Sequence, residues 1–133
     1  MDTNICLDLF LKDRPHASTS IQVMQLSEKK SMEGFVAGHA FDTIFYIIEK
    51  NEGTAIAQQA VSLCYQTVRV GTVNHHVIGQ AVADGWKDFE DAVHHACAVQ
   101  EQCDVIITHN QKNFSQSTIP VQSADEFISE HLQ

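Results

Sequence analysis

The sequence predicts an α/β fold in which a mostly parallel β-sheet is covered by helices on both faces. Two observations indicate this. Amphipathic helical segments alternate along the chain with short apolar segments, and the clearest of these, residues 105–108, is rich in β-branched residues. Parallel strands that are buried on both faces have this composition. Since 133 residues suit one domain with one core, we expect residues 1–133 to form a single domain.

The spacing of the apolar residues, together with capping residues, predicts seven helices. A short first helix spans residues 5–11 and ends before Pro15, because the residue before a proline resists helical geometry. A second helix begins at a cap formed by Ser18 or Ser20 and ends near residue 30. The remaining helices are expected at residues 39–48, 54–66, 75–83 and 89–102, with the last one beginning near residue 123.

Four short apolar segments are predicted to be strands. They are residues 34–38, 68–70, 105–108 and 119–121. Sheets of this kind bind ligands outside the carboxyl ends of their strands. The rule indicates three segments as candidates for a site, namely residues 2–4, 38–43 and 108–110.

Composition excludes several classes of protein. Apolar residues make up 44% of the chain, but no apolar run approaches the ~20 residues of a membrane span, and no signal segment precedes the first helix. We therefore expect no membrane association. The four cysteines form no Cys-x-x-Cys pair and lie mostly in apolar surroundings, so we expect reduced thiols, a cytoplasmic protein and no zinc site.

The net charge of −9 excludes a broad, non-specific nucleic-acid-binding surface, which needs clustered lysine and arginine. Half of the eight basic residues nevertheless flank the candidate segments. They are Lys12, Arg14, Lys87 and Lys112. This distribution fits a locally cationic rim around an acidic pocket.

Two acidic residues at the start of the sixth helix are the strongest candidates for chemistry. Asp88 and Asp91 are one helical turn apart and lie, with His95, along one edge of the apolar stripe of this helix. Carboxylates at the border of a core are costly unless a cation lies nearby. Carboxylate oxygens suit Mg²⁺ or Mn²⁺ far better than zinc. The alternative is that both residues only complement the helix dipole.

Polar residues in the other candidate segments extend this hypothesis. Asp2 is a candidate metal ligand and Asn4 a substrate contact, although Asp2 would equally serve as a helix cap. Thr108 is placed to orient a water or a phosphate, and Asn110 to act as a neutral oxygen ligand. A polar turn after a strand is the alternative for both.

A second acidic position and the histidines are less informative. Asp42 and Thr43, near the start of the third helix, are candidates to face the same crevice, with a helix-dipole role as the alternative for Asp42. Neighbouring histidines occur at positions 75–76 and 94–95, without a metal-binding partner at a suitable spacing, and we expect His94 to face solvent. No arrangement for a covalent nucleophile or a phosphate-binding loop is present.

Taken together, these segments resemble the PIN-domain family. The resemblance is carried by residues 2–11 with Arg14 and Pro15, then by residues 41–46, 88–92, 105–110, 113–114 and 119–121. It implies a three-layer α/β/α sandwich and, in many members, ribonuclease activity that depends on Mg²⁺ or Mn²⁺. Small bacterial members similar to the VapC group are often toxins of toxin–antitoxin pairs and commonly dimerise. Asp2 and Asp91 match the metal-binding acids of the family, and Asp88 matches an accessory acid.

The chain departs from the family pattern in three places. The second motif usually contains a glutamate, whereas this chain has Asp42 and Thr43. Asn110 stands where many members have an aspartate. Several apolar residues usually precede the first aspartate, but only Met1 precedes Asp2 here, so a start assigned too late would leave Asp2 poorly anchored.

Two functions are therefore expected. The first is a metal-dependent endoribonuclease, the toxin of a pair with a cognate antitoxin and a homodimer, in which Asp2 and Asp91 hold the metal and Asp88 and Asn110 complete the site. Lys12, Arg14 or Lys112 would position the RNA backbone. The alternative is a catalytically weakened PIN-like module that binds RNA or a protein partner without cleavage.

Overall fold

Helices alternate with short parallel strands over residues 1–131, which the computed structural model describes. The helices are α1 (Thr3–Leu7), α2 (Ala17–Glu28), α3 (Gly38–Glu52), α4 (Thr54–Thr67), α5 (His75–Asp84), α6 (Phe89–Gln100) and α7 (Ala124–His131). The strands are β1 (Phe35–Ala37), β2 (Arg69–Gly71), β3 (Ile106–Ile107) and β4 (Val121–Gln122), and a 3-10 turn covers Gln111–Phe114. The predicted α/β class is confirmed.

The strands form two parallel pairs, which the first two residues of the chain connect. β1 pairs with β2, and β3 pairs with β4. The amino group of Met1 donates a hydrogen bond to the carbonyl oxygen of Phe35 (2.9 Å), and the N–H of Asp2 donates to the carbonyl oxygen of Ile107 (3.1 Å). Asp2 therefore lies between the two pairs, at the carboxyl end of β3.

Two pairs of helices, α3 with α4 and α5 with α6, pack around the strands. α3 and α4 form a hairpin around Gly53, whose φ of 91° lies in the region that favours glycine, and their core includes the fully buried Ile44 and Ile48. α5 packs against α6 through small apolar residues such as Ala81 and Ala92. Replacing a fully buried isoleucine by alanine typically costs about 2–5 kcal/mol, so these contacts hold the helices firmly in position.

The close approach of α6 to the sheet depends on a glycine. A Cβ atom at Gly71, the last residue of β2, would lie 2.5 Å from Sγ of Cys97 on α6. A side chain at position 71 would therefore push α6 away from the sheet. Together with the packing of α6 against β1, this contact sets the distance between α6 and the sheet.

The observed elements differ from the predicted ones mainly in length. α1 ends at Leu7 rather than near residue 11, because the chain then enters tight turns in which Phe10 N–H donates to the carbonyl oxygen of Leu7. β1, β3 and β4 are shorter than predicted, β2 lies one residue later than predicted, and β4 begins two residues later. The four cysteines are free thiols, as predicted. Within the described part of the chain, no helix is long and apolar enough to cross a membrane.

Candidate active site

Asp2 is held by hydrogen bonds from two directions. Its Oδ1 accepts the backbone N–H groups of Asn4 (3.1 Å) and Ile5 (3.4 Å), so Asp2 caps α1. Its Oδ2 accepts the hydroxyl of Thr108, which follows β3. Asp2 is 5% exposed and Thr108 is fully buried. The capping role that the sequence offered as an alternative is present, and the same bonds fix the carboxylate at the strand end.

The loop after β3 links Asp2 to Asp91. Oγ1 of Thr108 accepts the N–H of Asn110 (3.0 Å), which shapes the turn and leaves Asn110 exposed. In the 3-10 turn that follows, Nδ2 of Asn113 donates to Oδ2 of Asp91 (2.9 Å). One loop therefore contacts both predicted acidic ligands, and it also carries the exposed Lys112.

Asp88 and Asp91 lie in the first turn of α6. Asp88 is the cap, since its Oδ1 accepts the N–H of Asp91 (3.0 Å). Burial raises the pKa of Asp91 to about 6, with further contributions from the negative charges of Asp88 and Asp2. The hydrogen bond from Asn113 opposes this rise in pKa only in part. The site therefore gathers carboxylates that repel one another.

These carboxylates suit a divalent cation in their chemistry. Oxygen donors whose ionised forms repel one another are stabilised by Mg²⁺ or Mn²⁺. However, the carboxylates of Asp2, Asp88 and Asp91 are not grouped as closely as the ligands of a closed metal site. Within residues 1–131, ligand atoms that all lie within 4.8 Å of one another are found in a different group, which consists of His39, Glu90 and His94.

This second group, which we call the histidine cluster, was missed by the sequence analysis. His94 was expected in solvent, but it is 7% exposed, because α6 packs against β1 and lies close to the start of α3. The ring of His39, the second residue of α3, contacts the ring of His94 at 4.5 Å between centroids. Nε2 of His94 lies 3.6 Å from Oε1 of Glu90. The available signal was the position of His39 directly after a strand, combined with the spacing of Glu90 and His94 on one helix.

Burial keeps His39 neutral. Desolvation lowers the pKa of His39 to about 4, with a further contribution from His94. Within residues 1–131, both ring nitrogens of His39 are buried and have no hydrogen-bond partner. By contrast, the pKa of Glu90 is lowered, first by its hydrogen bond with His94. The cluster thus joins a neutral imidazole to an ionised carboxylate.

Arg14 is a cation that the structure holds beside the first turn of α1. The buried Asp8 accepts the Nε–H of Arg14 at Oδ1 (3.1 Å), and Nη2 of Arg14 lies 3.5 Å from Oδ1 of Asn4. Ser20 donates to the other oxygen of Asp8 (2.7 Å), and His109 contacts that oxygen as well. Asp8 therefore holds the guanidinium beside Asn4, next to Asp2. The other two cations predicted to contact substrate, Lys12 and Lys112, are exposed.

Asp42 and Thr43 lie elsewhere on α3. The exposed Asp42 lines a groove between α3 and α4 with Tyr65. Within residues 1–131, no hydrogen bond or ion pair joins either residue to Asp2, Asp88 or Asp91. His95 is also separate, because it stacks on Trp86 and accepts the N–H of Thr118 (3.1 Å).

Comparisons with known proteins agree with this architecture. A family model described as the PIN domain matches residues 1–112. The structure is similar to that of Mycobacterium tuberculosis VapC20, a sarcin-ricin loop cleaving toxin. The TM-score is 0.63 at 17% identity, and the match covers 78% of this chain and 83% of that one. It is also similar to VapBC2 from Rickettsia felis, in a structure bound to a DNA fragment from the VapBC2 promoter. There the TM-score is 0.69 at 15% identity, with 92% and 98% coverage. A search of curated proteins finds no match.

Proposed function

Because the chain belongs to the PIN-domain family, we propose that it is an endoribonuclease that requires Mg²⁺ or Mn²⁺. One observation supports this above the others. Asp88 and Asp91 lie together near Asp2, and the pKa of Asp91 is raised to about 6 by burial and by these negative charges. Raised carboxylate pKa values of this kind are typical of functional sites. The similarity to a toxin that cleaves the sarcin-ricin loop supports RNA as the substrate.

Asp2, Asp91 and Asp88 would hold the ion, and Asn110 would add a neutral oxygen. When bound, the ion stabilises charge on the phosphate that is cleaved and lowers the pKa of water. The chain itself supplies the rigidity, because Thr108 and the first N–H groups of α1 hold Asp2 while Asn113 holds Asp91.

The cationic and polar groups around these acids would position the RNA. Arg14, fixed by Asp8 beside Asn4, is suited to a phosphate of the RNA backbone, since a guanidinium offers two parallel donors. Asn4 and Thr108 lie next to Asp2, and Lys112 lies on the loop that contacts both acids. Asp42 and Thr43 would act only on a part of the RNA that reaches the start of α3.

The same proposal includes partners. We propose that the protein is the toxin of a toxin–antitoxin pair, which the similarity to VapBC2 supports. A homodimer is proposed through the outer face of α4, where Ile56 and Leu63 are 41% and 45% exposed. The two side chains lie two turns apart on one face of α4, and a partner that covers this face would remove both from water.

RNA cleavage by the purified protein tests this proposal. We expect cleavage with Mg²⁺ or Mn²⁺ and none with EDTA, and we expect Asp91→Asn or Asp2→Asn to lower the rate at least about 100-fold, because each removes an anionic ligand. Asp104→Asn is the matched control, since it removes an exposed carboxylate outside the site. Cleavage that persists in both site variants would contradict the proposal.

The second candidate is a PIN-like module that binds RNA or a protein partner without cleavage. Both oxygens of Asp2 already accept hydrogen bonds, Asn110 is neutral, and Asp42 lies apart from the other acids. Titration with Mn²⁺ by calorimetry separates the two functions. An Mn²⁺ site that disappears in Asp91→Asn supports the nuclease, and its absence in the unmodified protein supports the binding module.

A further inference from the structure

The histidine cluster has the geometry of a metal site that is separate from the carboxylates. Its three ligand atoms lie within 4.8 Å of one another, and Nε2 of His94 is 3.6 Å from Oε1 of Glu90. Ligand atoms at about 2.0–2.1 Å from one tetrahedral ion lie about 3.4 Å apart. The observed distances therefore require only small side-chain movements.

Unsatisfied nitrogens point to a ligand as well. Both ring nitrogens of His39 are buried without a hydrogen-bond partner among residues 1–131, although the side chains of His94 and Glu90 lie within reach. A buried polar atom without a partner costs about 1–3 kcal/mol. A metal ion bound between the three side chains would remove this cost for one nitrogen of His39.

We propose that His39, Glu90 and His94 bind one transition-metal ion of the zinc class. Two imidazoles with one carboxylate are the ligands of Zn²⁺, Co²⁺ or Ni²⁺, whereas Mg²⁺ prefers a shell of oxygens. The hydroxyl of Thr3 lies 3.2 Å from Oε1 of Glu90 and 3.4 Å from Nε2 of His94, next to the position of the ion. The ion joins the start of α3 to the first turns of α6.

The histidine cluster and the carboxylates are neighbours, since His94 lines one pocket with Asp2 and lowers the pKa of Asp91, but they project from α6 in different directions. Glu90 and Asp91 are consecutive, so their side chains diverge by about 100° around the helix. Glu90 contacts Thr3 and His94, whereas Asp91 accepts a hydrogen bond from Asn113. The Glu90 side chain is 44% exposed and that of His94 only 6%, so an ion enters from the side of Glu90. Metal binding by the histidine cluster does not depend on nuclease activity.

Titration of the metal-free protein, without an affinity tag, tests the proposal. We expect one Co²⁺ per chain, with the visible absorption bands of a nitrogen-bound site, and we expect stoichiometric Zn²⁺ to displace it. Glu90→Gln and His39→Gln should each weaken Zn²⁺ binding at least about 10-fold in calorimetry, because each removes or replaces a ligand. His76→Gln is the matched control, since His76 is the second residue of α5, as His39 is of α3, but is exposed.

A further variant distinguishes ion binding at the histidine cluster from ion binding at the carboxylates. Asp91→Asn should retain the Co²⁺ bands and the Zn²⁺ affinity, which separates this site from the proposed nuclease site. Thermal unfolding in EDTA checks that each variant is folded. The proposal is overturned if the unmodified protein does not bind Zn²⁺, or if its Co²⁺ complex lacks the absorption bands of a nitrogen-bound site. It is also overturned if Zn²⁺ binding is lost in Asp91→Asn and kept in His39→Gln.

Discussion

Two clusters of polar side chains meet the first turns of α6, and their environments differ. The carboxylate cluster, Asp2, Asp88 and Asp91, is anionic, and burial and mutual repulsion raise the pKa of Asp91 to about 6. The histidine cluster is built on the buried His94, and desolvation lowers the pKa of His39 to about 4. The two pKa shifts have opposite directions but one cause, because burial favours the uncharged form of an acid and of a base alike.

The difference shows how one helix presents two kinds of ligand. Hard carboxylate oxygens lie on the side of the loop after β3, and imidazole nitrogens lie on the side of β1 and α3. The first set prefers Mg²⁺ or Mn²⁺ and the second prefers zinc-class ions. The two sides differ because consecutive helical residues contact different elements, Glu90 the start of α1 and Asp91 the 3-10 turn. Three substitutions, from the largest expected effect to the smallest, test this contrast.

Thr108→Val should have the largest effect, because the carboxylate cluster depends on hydrogen bonds from neutral groups. The substitution keeps the shape but removes the donor to the buried Asp2 and the acceptor for Asn110 N–H. A lost hydrogen bond to a buried charged group costs about 2–3 kcal/mol. Urea denaturation measures the loss of stability.

Thr54→Val is the control for this measurement. Thr54 is exposed at the start of α4, and its hydroxyl donates to the side chain of Glu49. Its replacement should change stability by no more than about 0.5 kcal/mol. Equal effects of the two substitutions would show that Thr108 does not hold Asp2.

Asp91→Asn should stabilise the metal-free protein at pH 7.5. The pKa of Asp91 is about 6 in the folded protein and 3.8 without the fold, so the charge destabilises the fold fully above pH 6 and not at all well below pH 3.8. Because Asp91 is half-exposed, we expect a gain of only about 1 kcal/mol, or about 4 °C in Tm.

Thermal unfolding in EDTA between pH 4 and pH 8 measures this effect. The gain should shrink as the pH falls through the interval from 6 to 4. Asp104→Asn, which removes an exposed carboxylate, should show no such trend. If Asp91→Asn lowers Tm at pH 7.5, interaction with the helix dipole outweighs repulsion within the carboxylate cluster.

His39→Gln should have the smallest effect, with the opposite dependence on pH. The pKa of His39 is lowered from 6.5 to about 4, so its contribution to stability is complete above pH 6.5 and is lost as the pH falls toward 4. The metal-free variant should therefore be less sensitive to acid than the unmodified protein. After allowance for partial exposure of His39, we expect a difference below about 1 kcal/mol at pH 5.5.

Unfolding in urea at pH 7.5 and pH 5.5 tests this prediction. The charged or titratable groups that face His39 are His94 and Glu90, both on α6. His76→Gln serves as the control, because His76 is exposed and should leave the acid sensitivity unchanged. An acid sensitivity that is equal in all three proteins would show that His39 does not resist protonation in the fold.

Much of the fold could be predicted because its signals are local. The predicted fourth helix, residues 54–66, is observed as Thr54–Thr67, and α6 begins at Phe89 as predicted, with Asp88 as its cap. Caps and apolar periodicity act within a few residues, so the sequence contains them directly. The strand lengths could not be predicted in the same way, because a strand ends where its partner ends.

The candidate site could be predicted only in part. Asp2 as a cap and Asp88 with Asp91 on one turn follow from spacing along a helix. The bond between Thr108 and Asp2 joins residues 106 positions apart, and nothing in the local sequence requires it. The burial of His94 was wrongly predicted for the same reason, because its neighbour His39 belongs to a distant helix.

The sequence by itself determined the α/β class, the family resemblance and the acidic residues at the start of α6. These features depend on residue type and on spacing within single elements, where the geometry of a helix or strand is fixed. Only the tertiary structure decided which polar groups meet: Thr108 with Asp2, Asn113 with Asp91, and His39 with His94 and Glu90. The first contact depends on the pairing of Asp2 with the end of β3, and the other two depend on how α6 packs against its neighbours. Long-range packing sets both, and local pattern does not.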